Sequence, residues 1–300
     1  MNALADYLVE TRERVNRALA EVLDDYLDGV ADWLAVPIRY ACEGEGKRFR
    51  PILFLASYES SGQRTNNRVV RLATALEIVH SYSLVHDDLP CMDDDDWRRG
   101  RATCHRAFGT ERAAVAAAAM VPLAGWVIAG EARALGFSAA DGAAFVTELS
   151  EAAGPTGMVG GQVLDLICER LEVSSEQLED IHQRKTGALI RSAARLGGLV
   201  GRVSPAVLAA LTEFGSRVGL AFQIADDLLD EEEAASNRQS REPRSDRELG
   251  KATYPGLLGS QRARADACRL AEEAIAVLRQ AGVVSPILEG LAIHVVERES

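Results

Sequence analysis

Apolar residues recur along this chain at spacings of three and four. Leu4, Leu8, Val15, Leu19, Val22 and Leu23 fall on one helical face, interleaved with acids and arginines. That is the period expected when one stripe of an α-helix is buried. Nearly every later segment repeats it, and no run of alternating β-branched residues interrupts it. Ala, Leu, Glu and Arg, all good helix formers, outnumber the β-formers. Breaks rich in Gly, Pro, Ser or Asn fall at 32–37, 44–51, 60–67, 90–109, 136–142, 154–161, 197–205, 236–250 and 282–286. They predict an all-α protein of about ten or more helices around a central cavity. No shift in composition marks a boundary, so a single domain over 1–300 is expected. The longest polar break, 236–250, reads as a lid.

One helix needs separate comment. Ala113 to Gly130 is 18 residues without a charge, the lower edge of a membrane span. It is mostly alanine, stands alone and carries Pro122 in its middle. A buried core helix is expected, kinked or broken at the proline. The N-terminus mixes Asp, Glu and Arg through its apolar positions and is not a signal peptide.

Composition adds limits. A hydrophobic share of 47% with 26% charged residues suits a soluble globular protein. The net charge of −12, with no basic tract, argues against nucleic-acid binding. Five scattered cysteines without a CxxC pair suggest reduced thiols and a cytoplasmic setting.

Much of the acid is local. Asp87, Asp88 and Asp93 to Asp96 place six carboxylates within ten residues, followed by Arg98 and Arg99. A second knot, Asp226-Asp227-Leu228-Leu229-Asp230, lies among apolar neighbours. On a helix Asp226 and Asp230 are one turn apart and Gln223 joins their face. Such an arc is either a solvated surface or a cation site, and the apolar flanks weigh toward the cation. Oxygen ligands without Cys or His suit Mg²⁺ held together with substrate phosphates. Glu77, His80, Leu84 and Asp87/Asp88 share one helical face, and Pro90 ends that helix. The expectation is that both knots face one pocket and hold a diphosphate through magnesium.

Basic residues recur at three breaks: Gly46-Lys47-Arg48-Phe49-Arg50-Pro51, Arg184-Lys185-Thr186-Gly187, and Leu249-Gly250-Lys251-Ala252-Thr253-Tyr254-Pro255. Each alone is commonly surface charge. Together with the acids they suit the binding of two diphosphates.

These motifs closely resemble those of the short-chain trans-prenyl diphosphate synthases, over about Tyr40 to Val296. The matches are Asp87-Asp88-x4-Asp93 with Arg98-Arg99-Gly100, Phe222-Gln223-x2-Asp226-Asp227-x2-Asp230, Gly46-Lys47-Arg48-x-Arg50-Pro51, Gly160-Gly161-Gln162 with Asp165, Lys185-Thr186-Gly187, and Gly250-Lys251-x-Thr253-Tyr254-Pro255. The resemblance implies a homodimeric enzyme that joins isopentenyl diphosphate to an allylic diphosphate. Asp87, Asp88, Asp93, Asp226 and Asp230 would bind three Mg²⁺ ions, with Asp227 as a further catalytic carboxylate. Arg98, Lys185 and Lys251 would hold the allylic diphosphate. Lys47, Arg50, His80 and Arg99 would hold isopentenyl diphosphate. Thr186 and Gln223 would steady the allylic cation, and Tyr82, ~7.5 Å back along the helix from Asp87, would close the pocket floor and set product length.

Three departures from the family pattern stand out. Ala117-Ala118-Ala119-Met120 replaces Gly-Asp-x-Leu, Ser240-Arg241 replaces Gly-Lys, and Ala225 replaces a common Gln. The alternatives are a terpene cyclase of the same fold and a non-catalytic partner subunit of a heteromeric synthase. Lys47 and Arg50 argue against the first, and two intact aspartate triads argue against the second.

Overall fold

The computed structural model describes residues 3–169, 171–235 and 251–297. In chain order the helices are α1 (Ala3–Tyr26), α2 (Asp32–Cys42), α3 (Phe49–Glu59), α4 (Asn67–Asp87), α5 (Cys104–Phe108), α6 (Thr110–Ala134) and α7 (Ala139–Ala153). They continue as α8 (Met158–Cys168), α9 (Ser175–His182), α10 (Ala188–Val200), α11 (Pro205–Ala235), α12 (Tyr254–Leu258), α13 (Ser260–Gln280) and α14 (Pro286–Glu297). One π-helical turn, Gln183–Gly187, joins α9 to α10. Among the described residues the only sheet is a ladder of β1 (Trp97–Arg98) with β2 (Arg101–Ala102). The all-α expectation holds. The lid expected at 236–250, with Ser240-Arg241 and Gly250, lies outside the described residues.

Contacts divide the chain into two compact units. The first comprises residues up to 55 and 65–149. Its central element is α4, capped by Asn66, whose side chain accepts from the Val69 N–H at 3.1 Å. Val69, Leu72, Ala73, Leu76, Ile78 and Val79 are fully buried against neighbours that include α1, α2 and α6. Each large aliphatic so buried contributes about 1.5–3 kcal/mol. Arg71 locks α4 to α6 through Glu131 at 2.8 Å and to α1 through Asp25 at 2.7 Å.

The break expected at Pro122 does not occur, because α6 runs unbroken through it. The proline removes the hydrogen bond that the Ala118 carbonyl would accept. Ala118 and Pro122 are both exposed, so water can satisfy that carbonyl, and the alanine-rich flanks keep the helix. Nor is α6 buried all round. Ala113, Ala116, Ala117, Met120, Ala124, Val127 and Ile128 face inward, while Val115, Ala118, Pro122 and Trp126 form an exposed apolar stripe. It is the one described helix long and apolar enough to cross a membrane by length and composition.

The second unit comprises residues 56–64, 150–235 and 251–297 of those described. Its centre is α11, packed on α10 and α13. The π turn is wedged between α8 and α11 by close backbone approach. A Cβ at Gly161 would lie 2.2 Å from the Lys185 nitrogen, and one at Gly219 would lie 2.8 Å from the Gly187 Cα. Only glycine allows contacts that close. Helix α10 continues through Gly197 and Gly198, where a break was expected.

Candidate active site

In the first unit, Asp87 is the last residue of α4 and Asp88 its C-cap. The chain then folds back, as expected: the Asp93 N–H donates to the Asp87 carbonyl at 2.9 Å. Asp88, Asp93 and Asp95 are all buried. Arg98 Nε donates to Asp88 at 2.6 Å, and Arg98 Nη2 lies 3.4 Å from Asp95. Burial pushes the Asp88 carboxyl up to about 7 even so; Arg98 opposes this, while Asp95 and Asp87 add to it. These carboxylates gain from a further cation.

The β1–β2 hairpin separates the two arginines. Arg98 pairs with Arg101 across a two-residue loop, Arg99-Gly100, with φ of +52° and +74°. Positive φ at both positions is the type I′ geometry that matches strand twist. The fold ties the hairpin down: Tyr40 donates to the Ala102 carbonyl at 2.6 Å, and the Arg101 guanidinium lies 4.0 Å over the Tyr40 ring. Arg98 thus reaches the acids, whereas Arg99 Nη2 lies 3.4 Å from His80 Nε2.

His80 sits in a cationic setting. Its basicity is held well below the usual imidazole value, first by burial and then by Arg50, Arg99, Arg98 and Arg48. Its Nδ1 is buried without a hydrogen-bond partner. Lys47 is exposed on the neighbouring turn, and Arg50 is half-buried. Tyr82, also half-buried, packs against an apolar cluster of Val85, Leu89, Cys104, Ala113 and Ala117.

In the second unit, α11 carries the other acidic knot. Asp226 and Asp230 are half-buried, and Asp227 is buried. Asp227 accepts from the Gln223 amide at 2.9 Å and from the Tyr254 N–H at 2.8 Å, and His182 Nε2 lies 3.6 Å away. Thr186 donates to Gln223 Oε1 at 2.6 Å. The Lys185 ammonium meets Asp165 at 2.5 Å, and Lys251 lies 3.8 Å from the same oxygen. The structure therefore brings Lys185, Lys251, Thr186, Gln223 and Asp227 together around residues expected from separate motifs. Gln162 is buried, with neither end of its amide hydrogen-bonded.

Sequence reasoning gave no role to Arg48, Asp165 or His182. Asp165 falls within one of the motifs, but the motif's spacing does not show that it serves two lysines. His182 ends α9, and nothing in its local sequence marks it as buried.

Among the described residues no group of three or more His, Cys, Asp or Glu side chains converges as a ready-made metal cage. Mg²⁺ bound through one or two carboxylates, with phosphate oxygens completing its shell, needs no such cage. The all-oxygen donors and the raised Asp88 carboxyl fit that mode.

These features define an all-helical protein with carboxylate and cationic clusters suited to diphosphate chemistry. The chain belongs to the polyprenyl synthetase family, whose profile matches residues 31–286. It is 43% identical to the farnesyl diphosphate synthase of Escherichia coli (strain K12), over 84% of this chain and 85% of that protein. It is 36% identical to the farnesyl diphosphate synthase of Bacillus subtilis (strain 168), over 88% and 87%. Among solved structures, a geranyltransferase from Legionella pneumophila superposes with a TM-score of 0.83 at 31% identity, covering 99% of both chains. An FPP/GFPP synthase from Zymomonas mobilis gives 0.81 at 31%, covering 96% and 99%.

Proposed function

We propose that this chain condenses isopentenyl diphosphate with dimethylallyl or geranyl diphosphate, head to tail, releasing diphosphate and giving farnesyl (or geranyl) diphosphate. The observation that carries this reading is the cationic setting of the half-buried His80, whose Nε2 lies 3.4 Å from Arg99 Nη2 and whose basicity is lowered by Arg50 and Arg99. Two guanidinium groups beside a neutral ring suit a diphosphate. The names of the curated relatives support the same reaction, and neither the cyclase nor the partner-subunit alternative is favoured by them.

In the first unit, Lys47, Arg50, His80 and Arg99 would grip the diphosphate of isopentenyl diphosphate, with His80 as a neutral donor. Arg98 would serve the allylic diphosphate, next to the magnesium ligands Asp87, Asp88 and Asp93. In the second unit, Lys185 and Lys251 would supply cations, and Asp226 and Asp230 would be metal ligands, with Asp227 holding this arrangement in place. Bound Mg²⁺, in three ions, would neutralise diphosphate oxygens and so ease departure of the leaving group. Thr186 and Gln223 offer oxygens, fixed against each other, to the positive charge that develops on the allylic carbon. Tyr82 would limit chain length.

The exposed stripe of α6, with Trp33 and Val36 of α2 also exposed, suits a homodimer contact. Five free cysteines suit a reduced cytoplasm.

The test is incubation of the purified protein with isopentenyl diphosphate, Mg²⁺ and either primer, with products read by mass spectrometry. Elongated products that vanish on chelation with EDTA are expected. No elongation with either primer would reject the reading.

A further inference from the structure

Arg48 differs from its neighbours on the basic turn. Lys47 is exposed and Arg50 half-buried, yet Arg48 is 4% exposed and has a left-handed backbone, φ +52°. A non-glycine residue held there is strained and persists only where surrounding contacts impose it. Here the contacts are explicit. Nη1 donates to Glu77 at 2.7 Å and Nε to Asn16 at 2.8 Å. Nη2 donates to the carbonyls of Cys42 at 3.0 Å and Gly44 at 2.6 Å. One guanidinium therefore joins α1, the end of α2, the turn itself and the middle of α4.

Its partner is placed to matter. Glu77 is 1% exposed and lies one helical turn before His80 on α4. On the other side, Arg99 packs over the turn so closely that a Cβ at Gly46 would lie 2.8 Å from Arg99 Nη1 and 3.4 Å from Arg48 Nη1. Turn, hairpin tip and His80 are thus layered around a single buried ion pair. Arg48 itself is not available to a ligand, because its three nitrogens are already engaged inward.

We infer that the Arg48–Glu77 pair is the positioning device of the isopentenyl diphosphate cradle, holding the left-handed turn so that Lys47 and Arg50 meet the same diphosphate as His80 and Arg99. This rests on reading those four residues as that cradle. The pair touches no substrate. Its effect runs through the backbone of the turn, and small misplacements of charged ligands are costly to binding and rate.

Removing Arg48 alone would strand a buried carboxylate and endanger the fold. Replacing both partners by apolar residues of similar size is commonly tolerated, so the informative variant is Arg48→Met with Glu77→Leu. Its circular dichroism should match the parent. The KM for isopentenyl diphosphate should rise about tenfold or more, while the KM for geranyl diphosphate stays within about twofold and kcat within about threefold. An unchanged KM for isopentenyl diphosphate, or equal losses for both substrates, would overturn the inference. Arg48→Lys keeps the charge opposite Glu77 but cannot span all four acceptors. It should raise the same KM more mildly, and it answers the question should the double variant not fold: no rise there also overturns the inference. Lys47→Ala and Arg50→Ala test the cradle separately. If neither changes the KM for isopentenyl diphosphate, the reading of the site has failed, whatever the pair does.

Discussion

The backbone N–H of Tyr254 donates to Asp227 Oδ2 at 2.8 Å, and the other carboxylate oxygen accepts from Gln223 at 2.9 Å. Asp227 thus anchors the chain that returns after residue 250 to the middle of α11. Its neighbour Asp226 is half-buried, not buried. The two acids should separate on mutation. Asp227→Ala leaves a buried N–H and an amide without their acceptor and should cost about 2–4 kcal/mol in stability, read as a lowered melting temperature. Asp226→Asn should melt near the parent but lose turnover by about a thousandfold or more. Full activity in Asp226→Asn would defeat its assignment as a metal ligand.

Thr186 and Gln223 share a hydrogen bond of 2.6 Å. Thr186→Val keeps the shape and removes the hydroxyl. We expect kcat to fall about ten- to a hundredfold with little change in either KM. A raised KM with normal kcat would instead give Thr186 a ground-state binding role.

Tyr82 packs, with Met92 and Phe108, against the cluster that contains the small side chains Ala113 and Ala117 of α6. Tyr82→Ala should shift products to longer chains, seen by mass spectrometry. An unchanged product distribution would remove Tyr82 from length control.

Burial holds the His182 imidazole at about 4; Asp165 opposes this and Lys185 adds to it. Since the ordinary value is 6.5, the unfolded chain takes up the proton first as pH falls. The stability due to this group is complete above pH 6.5 and is lost between there and about 4, amounting to about 3 kcal/mol. Burial shifts Asp88 upward, which works in the opposite direction over the same range. The measurement is therefore a difference in urea midpoints between the parent and His182→Asn at pH 7.5 and pH 5. The parent should lose more on acidification. Equal losses would show that His182 is not held neutral.

Trp126 is 60% exposed, and Val115 is 47% exposed on the same stripe of α6. Exposed apolar stripes of this kind commonly mark contacts with a partner. For the homodimer proposed above, Trp126→Glu should halve the mass measured by light scattering. A dimer that survives the change would move the contact elsewhere.

What the sequence made legible follows from the length over which each signal repeats. Helix α1 carries the helical period over about six turns, so its buried face of Val15, Leu19, Val22 and Leu23 could be read. Helix α4 is buried without interruption from Val69 to Val79, and only its acidic end showed. The hairpin that sends Arg98 and Arg99 to different neighbours has two residues per strand, too few for any alternation to show. Arg48 sits in a basic turn between an exposed Lys47 and a half-buried Arg50, and its left-handed backbone accompanies its inward course. The break expected at Pro122 fails for another reason. The rule against interior prolines takes no account of whether the carbonyl that loses its partner faces water.

The π turn at Gln183–Gly187 has a consequence for insertion and deletion. An α-helix would span the same axial distance with fewer residues, so deleting one residue here would leave α9 and α10 helical and even relieve an uncommon backbone. It would also remove the bulge that sets the side chains within the turn, taking Lys185 off Asp165 or Thr186 off Gln223. Secondary structure and chemistry therefore tolerate change in length differently at this point: the helix would accept the shorter gene product, and the two side chains would not.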